Sequence, residues 1–134
     1  MGTWGYKPFE NDTALDFIAE FEDRGKVAVE EALDAVLDND AYVEAPDADS
    51  AIAAAAFVAA ASGHSDWLEN QSARNIFNNA VDIKNLVGLK PKASAALTRI
   101  LAPESELHDL WKEAGSTDLE GFQDNVARLN ADLQ

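Results

Sequence analysis

Apolar positions recur along this chain with a helical period, and glycine and proline cut that period into short segments. Between Thr13 and Asp23, the residues Ala14, Phe17, Ile18 and Phe21 fall at i, i+3, i+4 and i+7, while Asp16, Glu20 and Asp23 take the other side. That spacing predicts an amphipathic helix, with Asn11 or Asp12 offering the N-cap oxygen. Gly25 interrupts it. A second helix is predicted over Lys26 to Asp38, burying Val29, Leu33, Val36 and Leu37 and exposing Glu30, Glu31 and Asp34. Two helices meeting at one glycine read as a helical hairpin or a sharp corner. Asn39–Asp49 comes next as an irregular stretch holding Pro46 and several turn-forming acids.

The third helix is expected to start near Asp47 or Asp49 and to stop at Gly63, a natural left-handed terminator. It carries no charge between Ala51 and Ala61, and its small side chains let neighbours approach closely, so it is the expected central element. Ser65–Ser72 reads as a connection holding Trp67 and Leu68. Further helices are predicted over Ala73–Leu86, with Ile76, Phe77, Ala80 and Val81 inward, and over Pro91–Leu101, with Ala95, Ala96, Leu97 and Ile100 forming a face. Pro103 is expected in the first turn of the next helix, which carries Leu107, Leu110, Trp111 and Ala114 and ends at Gly115. Thr117 and Glu120 have capping-box spacing ahead of a last stripe, Leu119, Phe122, Val126, Leu129 and Leu133. No alternating β-branched run or Asn-Gly hairpin signal calls for strands. The expected fold is all-α, a compact single-domain bundle of six to seven short helices.

Ahead of the first helix stands a glycine-spaced aromatic arm, Gly2-Thr3-Trp4-Gly5-Tyr6-Lys7-Pro8-Phe9-Glu10. Trp4, Tyr6 and Phe9 are expected to fold back over one end of the bundle, with Phe9 stapled onto the first helix. The competing use is a recognition arm, because aromatic anchors dominate many interfaces. Residues 1–134 thus read as one helical domain, 1–11 the packed arm and 12–134 the bundle, a size expected to form one core.

Charge adds a second theme. The formal net charge is −15, and residues 1–67 hold fifteen acids against three bases. A field of that sign repels nucleic acid and anionic membranes and attracts basic partners. The acidic helices, through Asp16, Glu20, Asp23, Glu30, Glu31 and Asp34, are therefore the candidate surface for a basic protein; the alternative is that the acids only confer solubility. The mildly basic group Lys84, Lys90, Lys92 and Arg99 offers a complementary patch for a second copy, so a structural or regulatory homo-oligomer stays open. The chain has no cysteine, which removes disulfides, thiolate metal sites and a thiol nucleophile. No apolar leader precedes Trp4 and no run approaches the ~20 residues of a membrane span; Tyr6 occupies the place where an N-myristoylation motif wants Ser or Thr. Cytoplasmic residence is the expectation.

Catalytic signals are sparse. Asp38–Asp49 superficially resembles a calcium loop, but Val43 stands where the glycine is needed and Asp49 where the bidentate glutamate is. A solvated acidic loop is the better reading. His64 and His108 are the only imidazoles, and neither lies in a zinc-type His-Glu-x-x-His pattern. Ser62, Ser65 and Ser72 lack a nucleophile-elbow context. These observations predict no catalytic residue, no metal and no cofactor. The remaining enzyme or ligand-binding alternative is a pocket near His108, Trp111 and the arm, with His108 and a neighbouring carboxylate as base.

Several landmarks coincide in order along the chain: Trp4-Gly5, Pro8-Phe9, Asn11-Asp12 with Ala14-Leu15-Asp16-Phe17, then Ala60-Ala61-Ser62-Gly63, then Ser105-Glu106-Leu107-His108-Asp109-Leu110-Trp111 and Arg128-Leu129. By these the chain resembles the domain-of-unknown-function 4259 family over essentially its whole length. It departs at Leu119-Glu120-Gly121-Phe122, where relatives tend to place a tryptophan. The resemblance implies an all-helical single domain of bacterial type, and brings neither an activity nor functional residues. The function expected from charge is a non-enzymatic interaction module, in its most concrete form an inhibitor or immunity-type protein for a basic partner.

Overall fold

The computed structural model describes residues 5–39, 41–80 and 83–134. Trp4, Asp40 and Val81, which figure in the sequence-based expectations, lie outside the described residues. The first helix, α1, spans Asp12–Arg24. Asn11 is its N-cap: the backbone there is extended and Oδ1 accepts the Ala14 N–H at 2.7 Å. The buried face is the predicted one, Ala14, Phe17, Ile18 and Phe21. Gly25 ends the helix with φ 58° and ψ −129°, a region closed to L side chains. Its N–H reaches the Phe21 carbonyl at 2.8 Å, and α2, Lys26–Leu37, begins at once. Leu37, expected inside, is 36% exposed, and Ala28 is buried in the stripe with Val29, Leu33 and Val36.

α3 runs over Ala45–Ala61, so Pro46 lies in its first turn and not in a loop. Proline loses no hydrogen bond there, because the N–H it lacks has no intrahelical partner. Every residue from Ala51 to Ala60 is buried. The helix stops as predicted at Gly63, where His64 N–H bonds the Ala59 carbonyl and Gly63 N–H the Ala60 carbonyl, the paired bonds of a Schellman motif.

A 3-10 turn, Ser65–Trp67, leads to α4, Gln71–Asn79, capped by the Asn70 side chain on Ala73 N–H. The predicted helix over Ala73–Leu86 is broken: Ala80 is extended (φ −75°, ψ 143°), and only the short α5, Ile83–Leu86, resumes it. α6, Lys90–Leu101, turns Ala93 inward with Ala96, Leu97 and Ile100, and leaves Ala95 outside. Pro103 lies in the bend ahead of α7, Glu106–Ala114, and not within its first turn; Leu110 faces out. α8, Ser116–Ala131, starts ahead of Thr117, with Gly115 as N-cap and no side-chain cap bond, so the predicted capping box does not form.

The described residues thus form an all-α bundle of seven helices of nine residues or more plus the turn α5. Among the described residues there is no strand, only an isolated parallel bridge between Val43 and Ser105. α3 is the axis, packed against α1, α2, α6, α7 and α8. Phe57 at its centre stacks on Phe21 at 4.2 Å and meets Phe9, Phe17 and Phe77. The arm packs onto this bundle: Phe9 is edge-on to Phe57, Pro8 and Phe9 are buried, and Tyr6 is edge-on to Trp111, itself stacked on Phe122.

Candidate functional site

The candidate acidic residues of α1 and α2 lie at exposed or half-buried positions, and several of them are ion-paired. Asp16, Glu20, Asp23 and Glu31 are exposed and Glu30 and Asp34 half-buried. Arg24 pairs with Glu31 at 2.6 Å and reaches Glu20 at 3.8 Å, Lys26 reaches Glu30 at 4.0 Å, and Lys92 of α6 holds Asp34 at 2.9 Å. Glu31 lies below the ordinary carboxylate range because it accepts the Arg24 hydrogen bond. Asp16 and Asp23 have no ion pair among the described residues. At 100° per residue, Val27, Glu31, Asp34 and Asp38 share the outer face of α2. Val27 is 51% exposed there, an apolar side chain in register with these three carboxylates. Of the basic group, Lys92 is engaged with Asp34, and Arg99 donates to the backbone carbonyls of Ala41 and Glu104.

The His108 and Trp111 region is a seam between the start of α3 and the start of α7. Glu106 accepts the Ala45 N–H at 2.6 Å, capping α3 from another helix, since Glu44 makes no such bond. A carboxylate suits that positive helix end. One turn on, Asp49 is mostly buried beneath the arm. Burial first, and the Glu106 charge second, push its carboxyl up to about 7. Outside this pair, Asp109 accepts the Tyr42 hydroxyl at 2.8 Å and faces His108 Nδ1 at 3.5 Å. That hydroxyl bond raises Tyr42 to about 12 and lowers Asp109. The free space among Tyr6, Asn11, Asp49, Trp111 and Phe122 is about 20 Å³, room for a water molecule. Stacked rings occupy this site, and Glu106 serves the helix junction.

A third place has no counterpart among the sequence-based expectations. Trp67 on the 3-10 turn donates its indole N–H to Asp132 at 2.7 Å. Beside it opens a cleft of about 210 Å³ lined by Pro8, Trp67, Asn125 and Arg128 of α8, and its C-cap Asp132. Lys7 and Glu69, paired at 3.2 Å, and Asp66 complete its lining. Asn125 is only 7% exposed. The signal that marks it is an amide within the apolar register Phe122, Val126, Leu129. The Trp67–Asp132 bond has no local signal, since its partners lie 65 positions apart.

Among the described residues no group of three or more His, Cys, Asp or Glu side chains could hold a metal ion, and no helix is long and apolar enough to cross a membrane. Fold and surface together define an acidic, all-helical bundle whose aromatic arm closes one end. Residues 2–124 match the family model described as Domain of unknown function (DUF4259), and the chain belongs to that family. No curated protein and no solved structure matches it.

Proposed function

We propose that this protein is a non-enzymatic interaction module for a basic protein, docking through the outer face of α1 and α2. The observation that supports the reading is Val27, an exposed aliphatic side chain that shares the outer face of α2 with Glu31 and Asp34. Opposite fields accelerate encounter, and affinity then needs an apolar centre from which water is excluded. Asp16 and Asp23 supply charge that no ion pair among the described residues absorbs, whereas Glu20, Glu30, Glu31 and Asp34 must exchange partners on docking. An inhibitor or immunity-type role, covering the basic site of a toxin or a nucleic-acid enzyme, is the most concrete form of this proposal.

The test compares the protein with a D16K/D23K/V27E variant as baits for native lysate at low and high salt. One discrete basic protein retained at low salt, released by salt and absent from the variant, is the expected result. Capture of no basic protein, or equal capture by the variant, overturns the reading.

A further inference from the structure

We propose that the cleft beside Trp67 binds a small zwitterion, an α-amino acid or dipeptide, with its carboxylate on Arg128 and Asn125 and its ammonium on Asp66. Some of the lining is committed within the chain: Lys7 to Glu69, and Asp132 to the Trp67 indole. Three side chains are not. Asp66, Asn125 and Arg128 make no side-chain hydrogen bond or ion pair among the described residues, yet all three line the same 210 Å³ space. For Asn125 this matters most, because the residue is only 7% exposed and its amide has no partner among the described residues, which leaves its donors and acceptor free toward the cleft.

Asn125 and Arg128 stand three residues apart on α8, about one turn and ~4.5 Å of rise. An amide NH₂ and a guanidinium at that separation converge on one carboxylate, the strongest kind of polar contact available here. Asp66 projects the opposite charge from the facing 3-10 turn. A plain anion entering the cleft would meet Asp66, Glu69 and Asp132, and a plain cation would meet Arg128 and Lys7. Only a ligand carrying both signs finds each of the unused groups. Pro8 and the Trp67 ring add an apolar wall that favours an aliphatic or aromatic side chain. The volume lies below the range of drug-sized sites, which fits one or two residues and no more. The site uses none of the acids of α1 and α2, so it stands independently of the docking proposal.

The 134-residue chain is titrated with the standard amino acids and with glycyl dipeptides, read by calorimetry and by the NMR signals of the Asn125 side-chain amide and the Trp67 indole N–H. The expected result is saturable binding at millimolar or lower concentration that moves both signals and is lost when the ligand is N-acetylated or C-amidated. R128Q and D66N, both at exposed positions, should each weaken it about tenfold or more while leaving the melting curve in place. No saturable shift from any free amino acid or dipeptide overturns the proposal. Undiminished binding of the blocked ligands, or by R128Q, overturns it equally.

Discussion

The residue with the most unusual surroundings is Asp49, a carboxyl mostly buried under the arm with the charge of Glu106 nearby. Its value rises from 3.8 unfolded to about 7 folded, so between those limits the native chain holds a proton that the unfolded chain has released. Stability from this group is therefore full at low pH and lost as pH rises through about 7, opposite to an ion-paired carboxylate. The separation sets an upper limit of about 4 kcal/mol. Asp49→Asn keeps the shape and removes the charge. Urea unfolding should show the variant more stable than the parent above neutrality, by about 1–3 kcal/mol, with the gap closing toward pH ~4 where the parent is protonated. Parallel pH profiles for the two proteins would remove this account. A second single-atom test lies at Gly121, where an added Cβ would stand 2.7 Å from the Tyr6 ring. Gly121→Ala gains about 1 kcal/mol of helix propensity inside α8. It forfeits the Tyr6–Trp111 edge contact, worth about 0.5–1.5 kcal/mol. Global stability should therefore change by less than about 1 kcal/mol, while amide exchange of residues 5–7 accelerates. Unchanged exchange would mean that the ring yields without freeing the arm.

At the level of elements, the bundle turns on α3, whose residues from Ala51 to Ala60 are all buried. A helix with neighbours on every side has no direction in which to accommodate volume. Ala54→Leu should cost about 1–3 kcal/mol or more by overpacking, measured as a lowered urea midpoint, whereas the same change at Ala95, on the outer side of α6, should cost almost nothing. Equal effects at the two sites would deny α3 its central place. The same element separates what is legible in a sequence from what is not. Its uncharged, small-residue run and Gly63 announce a buried helix and its end, and the spacing of Ala14, Phe17, Ile18 and Phe21 announces the face of α1, because both signals are local and periodic. The start of α3 is ambiguous from sequence because Pro46 signals either a loop or a first turn, and the choice is made by Glu106, 61 positions away, which caps Ala45. Ala80 breaks the expected helix over Ala73–Leu86 with no proline or glycine to mark it. The acidic stripe of α1 and α2 is readable from spacing. Its neutralisation by Lys92, and the cleft that joins Lys7, Asp66, Trp67 and Arg128, depend on contacts between helices that no pattern along the chain encodes.

For the whole molecule, the governing quantity is the excess of twenty-five acids over ten bases. The compact state brings those acids together, and self-repulsion destabilises it. The exposed pairs of Arg24, Lys26 and Lys92 oppose this, but such pairs contribute about 0–1 kcal/mol each and are screened by the same salt. The unbalanced acids outnumber the pairs, so screening should remove more repulsion than attraction. Sodium chloride raised from near zero to about 0.2 M, where the Debye length falls below ~8 Å, should move the urea midpoint upward by about 1 kcal/mol of stability. A midpoint that falls with salt would show that the ion pairs outweigh the field. Urea is the suitable denaturant, because guanidinium would itself screen. Docking of a basic partner on α1 and α2 must respond in the opposite sense, since the screening that relieves repulsion within the chain also weakens attraction between chains. A single salt series read for both stability and partner binding therefore separates a surface that uses its charge from one that merely bears it: opposed slopes belong to the first, and a rising stability with salt-insensitive binding belongs to the second.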